Sequence, residues 1–207
     1  MKELTLKQAA EDCRGTLTPE QAEGMITGVQ IDSRRVKPGD LFVAIKGEKS
    51  DGHNFIDMAA SLGAAAALVE RPVKASIPTI LVPDTVKAYG DLAAARRERM
   101  GVTVIGITGS VGKTTTKEMT ACMLERTYRT ARTEGNHNNN IGLPMTILDM
   151  PDDTETAVLE LGMNHFGEMA RLTSIAKPDI AVITNIGTMH IEHLGSREGI
   201  LQAKLEI

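Results

Sequence analysis

The stretch GITGSVGKTTTKE, residues 106–118, constrains the chain more than any other. A near-continuous apolar run, VTVIGIT (102–108), leads into a glycine-rich turn and then into a helix-forming segment from about Lys113 to Arg126. A strand without polar alternation is expected in a parallel sheet covered on both faces. A strand, a glycine turn and a helix in that order present backbone N–H groups where phosphate oxygens bind. The usual phosphate-loop spacing, GxxxxGK[ST], calls for glycine at position 107, which is Ile107; only the tighter GxxGKT part is present. Gly109, Ser110, Val111, Gly112, Lys113, Thr114 and Thr115 are therefore expected to form a nucleotide loop, with amides from Gly109 to Thr114 wrapping phosphate oxygens. Lys113 would reach the β/γ-phosphates and the Thr114 hydroxyl would ligate Mg²⁺. A chance glycine turn before a helix is the competing reading.

Three later segments follow buried-type strands, where open α/β sheets place ligand groups. In ELGMNHFGEM (160–169), the Glu160 carboxylate could hold Mg²⁺ against the phosphates, or could merely cap a turn. In ITNIGTMHIEHLGS (183–196), His190 or His193 could ligate a metal or act as general acid/base. The plainer alternative is a loop histidine bonded to a carbonyl, and His193 fits it better. Asn185 would touch the nucleotide or cap a turn. The segment TEGNHNNNIGLP (133–144) is dense in amides; Asn136 and Asn139 are candidates for a polar substrate, although asparagines also shape turns.

The expected fold class is α/β, with two parts. Residues 1–83 read as a small α/β domain: a helix at about 4–13, strands at 28–31 and 40–45, a helix at 53–64, and strands at 66–69 and 79–82. A connecting helix, 84–100, is capped by Asp84. Residues 101–207 read as a parallel-sheet nucleotide domain with strands at 102–108, 156–161 and 180–184 and a helical stretch at 168–176. Three strands make a thin sheet, and the chain stops at AKLEI inside a helical pattern. Residues 101–207 are thus expected to be the front part of a larger domain, a truncated phosphate-loop sheet.

Composition narrows the partners. A formal charge of −4 and 2% aromatic residues without tryptophan argue against nucleic acid. Cys13 and Cys122 lie in no CxxC pair, which excludes a disulfide scaffold. No apolar run reaches membrane-span length and MKELTLKQAAEDC lacks a secretion-signal core, so a cytoplasmic, monomeric protein without membrane insertion is expected.

Together TGSVGKTT, DSRRVKPGDLFVAIKGEKSDGHNF (32–55), GNHNNNIGLP, ELGMNHFGEM and ITNIGTMHIEHLGSREGILQAK resemble the Mur ligases, ATP-dependent amide-forming enzymes of peptidoglycan assembly. The tighter loop is that family's own form. The last three segments look most like the branch that adds D-alanyl-D-alanine. The resemblance implies a first domain that holds the UDP end of UDP-N-acetylmuramoyl-tripeptide, with Asp32, Ser33 and Arg34 as candidate contacts and Arg34 or Arg35 on the pyrophosphate. It implies ATP and Mg²⁺, an acyl-phosphate intermediate, and attack by the amine of D-Ala-D-Ala. It also implies a third, C-terminal domain that helps to bind ATP and the incoming amine; with that domain absent from this sequence, the chain alone is expected to have little or no ligase activity. Thr114 and Glu160 would serve one Mg²⁺ and His190 a second; Lys113, Glu160, His190 and Lys204 would be catalytic. Lys204, in QAKLEI, aligns with a lysine that several members carbamylate, although Leu205 stands where a small residue is usual. A solvated helix lysine is the alternative there, and His53 is expected to be structural. Competing functions are the neighbouring ligase that adds the third amino acid, a folylpolyglutamate synthetase, a UDP-ligand-binding fragment without catalysis, and an unrelated phosphate-loop switch protein.

Overall fold

The computed structural model describes residues 2–207, which separate into two compact units, one ending at Leu92 and the other beginning at Ala93. In the first unit, strands β1 (Leu4–Thr5) and β3 (Met25–Ile26) form an antiparallel ribbon around helix α1 (Leu6–Asp12). Thr5 starts that helix through a reciprocal capping box with Gln8, which satisfies two otherwise orphaned amides. The sheet among the described residues has five strands in the order β2 (Thr16–Thr18), β7 (Thr79–Leu81), β6 (Ala66–Val69), β5 (Asp40–Val43), β4 (Gly28–Gln30). Four run parallel; β2 pairs antiparallel with β7 at the edge, a strand that the periodicity of the sequence does not announce. Helix α2 (Ile56–Ser61) buries Ile56 and Ala59 against Phe42, Ala67 and Val69. The segment 53–64 expected as one helix is divided: Gly52–Phe55 is a tight 3₁₀ turn capped by Asp51.

Helix α3 (Thr85–Met100) carries the boundary between the units inside it rather than at either end. Asp84 accepts the Lys87 amide at 2.9 Å, as expected of an N-cap. Thr85 donates its amide and hydroxyl to Glu70, tying the first half of the helix to the first unit. Arg96, buried in the second half, serves the other unit. It bonds the carbonyls of Ile147 and Met150 and pairs with Asp152 at 2.9 Å, closing the C-terminal end of α5 (Gly142–Asp149). A guanidinium there satisfies carbonyls that the helix leaves free.

In the second unit a parallel sheet runs β11 (Ile180–Ile183), β8 (Thr103–Thr108), β10 (Thr156–Glu160), β9 (Thr130–Arg132). The sheet has four strands among the described residues rather than three. Strand β9 was hidden because TAR is short and lacks an apolar signature, yet its pairing with β10 fixes it. Helix α4 (Lys113–Leu124) packs Ala121 on Ile105, Ile107 and Val158. Helices α6 (Glu168–Ala176), α7 (Ile191–Leu194) and α8 (Arg197–Leu205) complete the unit. The register sets Ile107 beside Glu160 and Thr108 beside Ile183. Because the strands are parallel, the segments 109–112, 133–141, 161–167 and 184–190 all leave the same edge of the sheet, the edge at which such sheets bind ligands.

Candidate functional site

The glycine loop departs from the usual spacing because Ile107 is still strand. It is fully buried in the core of the sheet, so the turn starts two residues later. Gly109 permits that start: its φ is +145°, and a Cβ there would lie 1.9 Å from Thr184 Oγ1. Gly112, at φ +81°, then turns the chain into α4 without a side chain to cap it. The amides of Gly112, Lys113, Thr114 and Thr115 are the orphan donors of that helix start and carry the positive end of its dipole. Those of Ser110 and Val111 are not available. Ser110 N–H donates to the Asn185 carbonyl and Val111 N–H to Asn185 Oδ1, both at 3.1 Å. Thr184 Oγ1 donates to the Val111 carbonyl at 2.6 Å, and the Gly187 amide donates to Ser110 Oγ. The anion cradle is therefore shorter than a run from Gly109 to Thr114, and Asn185 shapes the loop from across the sheet edge. Lys113 Nζ rests on the Gly109 carbonyl at 3.0 Å, folded back over the cradle.

Thr114 and Glu160 meet. The threonine hydroxyl donates to Glu160 Oε2 at 2.9 Å, and Asn138 Nδ2 donates to Oε1 at the same distance. Glu160 is 3% exposed, so a carboxylate placed there needs such partners. Thr114 and Glu160 offer two hard oxygen donors beside the phosphate cradle. This set suits Mg²⁺, which takes one or two protein ligands and completes its octahedron with water and phosphate oxygens. Among the described residues no three His, Cys, Asp or Glu side chains form a metal cage.

A cavity of about 210 Å³ adjoins these groups, and Lys113, Asn138, Glu168, His190 and Lys204 are on its wall. Of the four asparagines near the loop, Asn138, Asn139 and Asn140 line it, whereas Asn136 does not. Asn139 uses its Oδ1 on the amides of Ile141 and Gly142 and so starts α5. Asn140 Oδ1 is buried with no protein partner. Glu168 takes the amides of Asn164 and His165; burial pushes its carboxyl up, but these bonds hold it below the ordinary range. Lys204 is 3% exposed, which overturns the solvated-lysine alternative. Burial, aided by the charge of Lys113, brings its ammonium down to about 8. Burial, helped by the cations Lys204 and Lys113, likewise lowers His190 despite the opposing pull of Glu192. His193 lies outside the wall, its ring 4.4 Å from that of His165. The cavity thus gathers cations and amides and only one carboxylate, already occupied by backbone, which suits an anionic ligand.

Two family descriptions match the chain in succession: "Mur ligase family, catalytic domain" over residues 25–102 and "Mur ligase middle domain" over residues 107–207. The chain belongs to the Mur ligase family. It is 49% identical over its whole length to the UDP-N-acetylmuramoyl-tripeptide--D-alanyl-D-alanine ligase of Bacillus subtilis and 43% identical to that of Escherichia coli, covering 46% and 45% of those proteins. Among solved structures, MurF from Acinetobacter baumannii superposes on the full chain with a TM-score of 0.94 at 42% identity, over 46% of that chain. MurF from Thermotoga maritima in complex with ADP matches 87% of the chain at a TM-score of 0.82 and 41% identity, over 42% of its own length. The chain spans somewhat under half the length of these relatives.

In the first unit of this Mur ligase chain, Asp32, Ser33 and Arg34 follow β4 in a short 3₁₀ turn. Asp32 and Arg34 pair with each other through two bonds of 2.8 and 2.9 Å, and the guanidinium holds the carboxyl down to about 2. Ser33 is buried and directs its hydroxyl to Met58 Sδ, so it faces inward. His53 is buried and doubly bonded: its Nδ1 lies 2.7 Å from Asp51, and its Nε2 accepts the Glu70 amide at 3.0 Å. Those partners fix the tautomer and assign His53 to the scaffold. No described helix is long and apolar enough to cross a membrane.

Proposed function

We propose that the chain supplies the UDP-substrate-binding and ATP-binding parts of a cytoplasmic ligase that joins D-Ala-D-Ala to UDP-N-acetylmuramoyl-tripeptide during peptidoglycan assembly. The observation that carries this reading is the meeting of Thr114, Glu160 and the α4 N-terminus beside a cavity walled by Lys113, Lys204 and His190. A carboxylate is a poor acyl electrophile. ATP solves this when a carboxylate oxygen attacks the γ-phosphorus and ADP departs; the dipeptide amine then attacks the acyl carbon, phosphate leaves, and a proton is released. Such transfer is largely positioning and charge neutralisation. The amides of Gly112–Thr115 and the Lys113 ammonium hold the phosphates, with Lys113 released from the Gly109 carbonyl. Thr114 and Glu160 would hold Mg²⁺, which would supply neutralisation of phosphate charge. Asn138, Asn139 and Asn140 meet the peptide end of the substrate in the cavity, and His190, whose imidazolium burial disfavours, serves there as a ligand or base. Lys204 suits carbamylation, because a lysine lowered to about 8 offers the neutral amine that attacks CO₂. In the first unit the turn 32–35, with Arg35 the cation that has no partner in the turn itself, takes the UDP end.

Calorimetric titration of the chain with Mg-ADP and, separately, with UDP-N-acetylmuramoyl-tripeptide tests the reading. Binding of each, with neither displacing the other, is expected; absence of both overturns it. In a full-length ligase carrying this chain, phosphate release that requires D-Ala-D-Ala, rather than a free amino acid or glutamate, separates it from the neighbouring ligase and from a folylpolyglutamate synthetase.

A further inference from the structure

A second lysine of the same helix is buried more deeply than Lys113 and belongs to none of the roles above. Lys117 follows Lys113 by one turn, is fully buried, and donates from Nζ to the Thr133 carbonyl at 2.6 Å. Its ion-pair partner, Glu118, is 49% exposed at the side chain and also meets Arg132 at 3.3 Å. Burying an ammonium costs several kcal/mol before its partners are counted, so its place has to be held by specific geometry. Thr133 supplies that geometry. It is fully buried; its amide donates to the Val158 carbonyl at 3.1 Å, and its hydroxyl accepts the Glu160 amide at 3.0 Å. Glu160 in turn accepts from Thr114, back on α4. Lys117, Thr133, Glu160 and Thr114 therefore close a ring of three hydrogen bonds. Two members of the ring stand one turn apart on α4, one ends β10, and one opens the asparagine segment that places Asn138 on the other oxygen of Glu160.

We propose that Lys117, acting through Thr133, is a positioning residue for Glu160. It holds the carboxylate at the distance from Thr114 that lets both oxygens face one Mg²⁺. Lys117 touches neither nucleotide nor substrate; its ammonium sets the path of residues 133–138 and thereby both ends of the Glu160 side chain. The inference rests on the reading that Thr114 and Glu160 hold the metal of a Mg-nucleotide.

The test uses this chain with Lys117→Met, Thr133→Val and Thr133→Ser, checked for folding by circular dichroism. Thr133→Val removes the hydroxyl but keeps the carbonyl that Lys117 uses, and Thr133→Ser restores the acceptor. Two quantities are read: exchange of the Glu160 amide relative to that of Val158, and ADP affinity with Mg²⁺ against ADP affinity in EDTA. Lys117→Met and Thr133→Val are expected to speed Glu160 exchange about tenfold and to cut the Mg²⁺-dependent gain in affinity by about tenfold, with EDTA affinity within about threefold of the parent and Thr133→Ser close to it. A purely structural lysine would lower the melting temperature and leave both readings in place, which would overturn the proposal. If Lys117→Met does not fold, Thr133→Val decides: unchanged Glu160 exchange and unchanged Mg²⁺ dependence sink the relay. A parent chain with no Mg²⁺-dependent affinity defeats the underlying metal reading, and amide exchange still decides whether the ring positions Glu160.

Discussion

The two units differ in how they treat charge. In the first, the charged groups that follow the strands answer one another: Asp32 with Arg34, and Asp51 with His53 and Arg71. In the second, the Lys204 ammonium is buried with no hydrogen bond or ion pair among the described residues, and that of Lys113 has only a carbonyl. Closed pairs shape turns; a buried charge without a counter-ion is destabilising, and it persists where a ligand of opposite sign completes it. Both units use closed pairs in the scaffold, Arg96 with Asp152 in the second among them, but only the second also carries Lys113 and Lys204 on a cavity wall without a counter-ion. Substitutions at the closed pairs of the first unit should lower stability and spare nucleotide affinity, and those at Lys113 and Lys204 should do the reverse.

The largest expected effect is that of Lys113→Ala. It should weaken Mg-ADP binding about 100-fold by calorimetry, the scale of a lost charge-assisted phosphate contact, with the melting temperature unchanged. A fall in stability without loss of affinity would break the comparison. Next is His53→Ala, which strands the Glu70 amide and leaves Asp51 with Arg71 alone; it should destabilise the chain by about 2–3 kcal/mol in urea while leaving Mg-ADP affinity within twofold. Lys204→Met should stabilise the chain at pH 7 by on the order of 2 kcal/mol, because it deletes a buried cation. Its pH signature has a definite sign. Between about 8, where the folded chain releases this proton, and the ordinary lysine range near 10.5, the unfolded chain binds more protons, so the parent gains stability as pH rises and the variant lacks that gain. The smallest effect belongs to Arg34→Ala. Its side chain is 78% exposed, so the loss should be the smallest of the four; it should be full above about pH 4 and fade as pH falls towards 2, where protonation of Asp32 removes the pair. A loss as large as that of His53→Ala would show that the closed pairs of the first unit are not equivalent to ordinary surface pairs.

Much of this was legible beforehand. Strands β6 and β8 are apolar runs, helix α3 follows the Asp84 cap and α6 spaces Met169, Leu172 and Ile175 on one face, so their places follow from local pattern. Strands β2 and β9 were not legible, because three residues with a single apolar one among them become a strand only when a neighbour supplies the ladder. The same holds at the site. The glycines, Lys113 and Thr114 sit in one contiguous segment, so their chemistry can be read in line. Which asparagine reaches Glu160 cannot, since Asn136, Asn138, Asn139 and Asn140 are alike in sequence and differ only in the turn that carries them. The roles of Asn185 on the loop amides and of Arg96 at the end of α5 are equally long-range.

By itself the sequence determined the α/β class, the tight phosphate loop, and the family whose segments occur in order along it. Tertiary structure decided which lysine is which. Lys113, Lys117 and Lys204 are the same chemical group on helices, and one folds over the anion cradle, one braces Glu160, and one lies uncompensated in the cavity. The difference is burial and partnership, and both come from parallel strands whose register joins residues far apart in the chain.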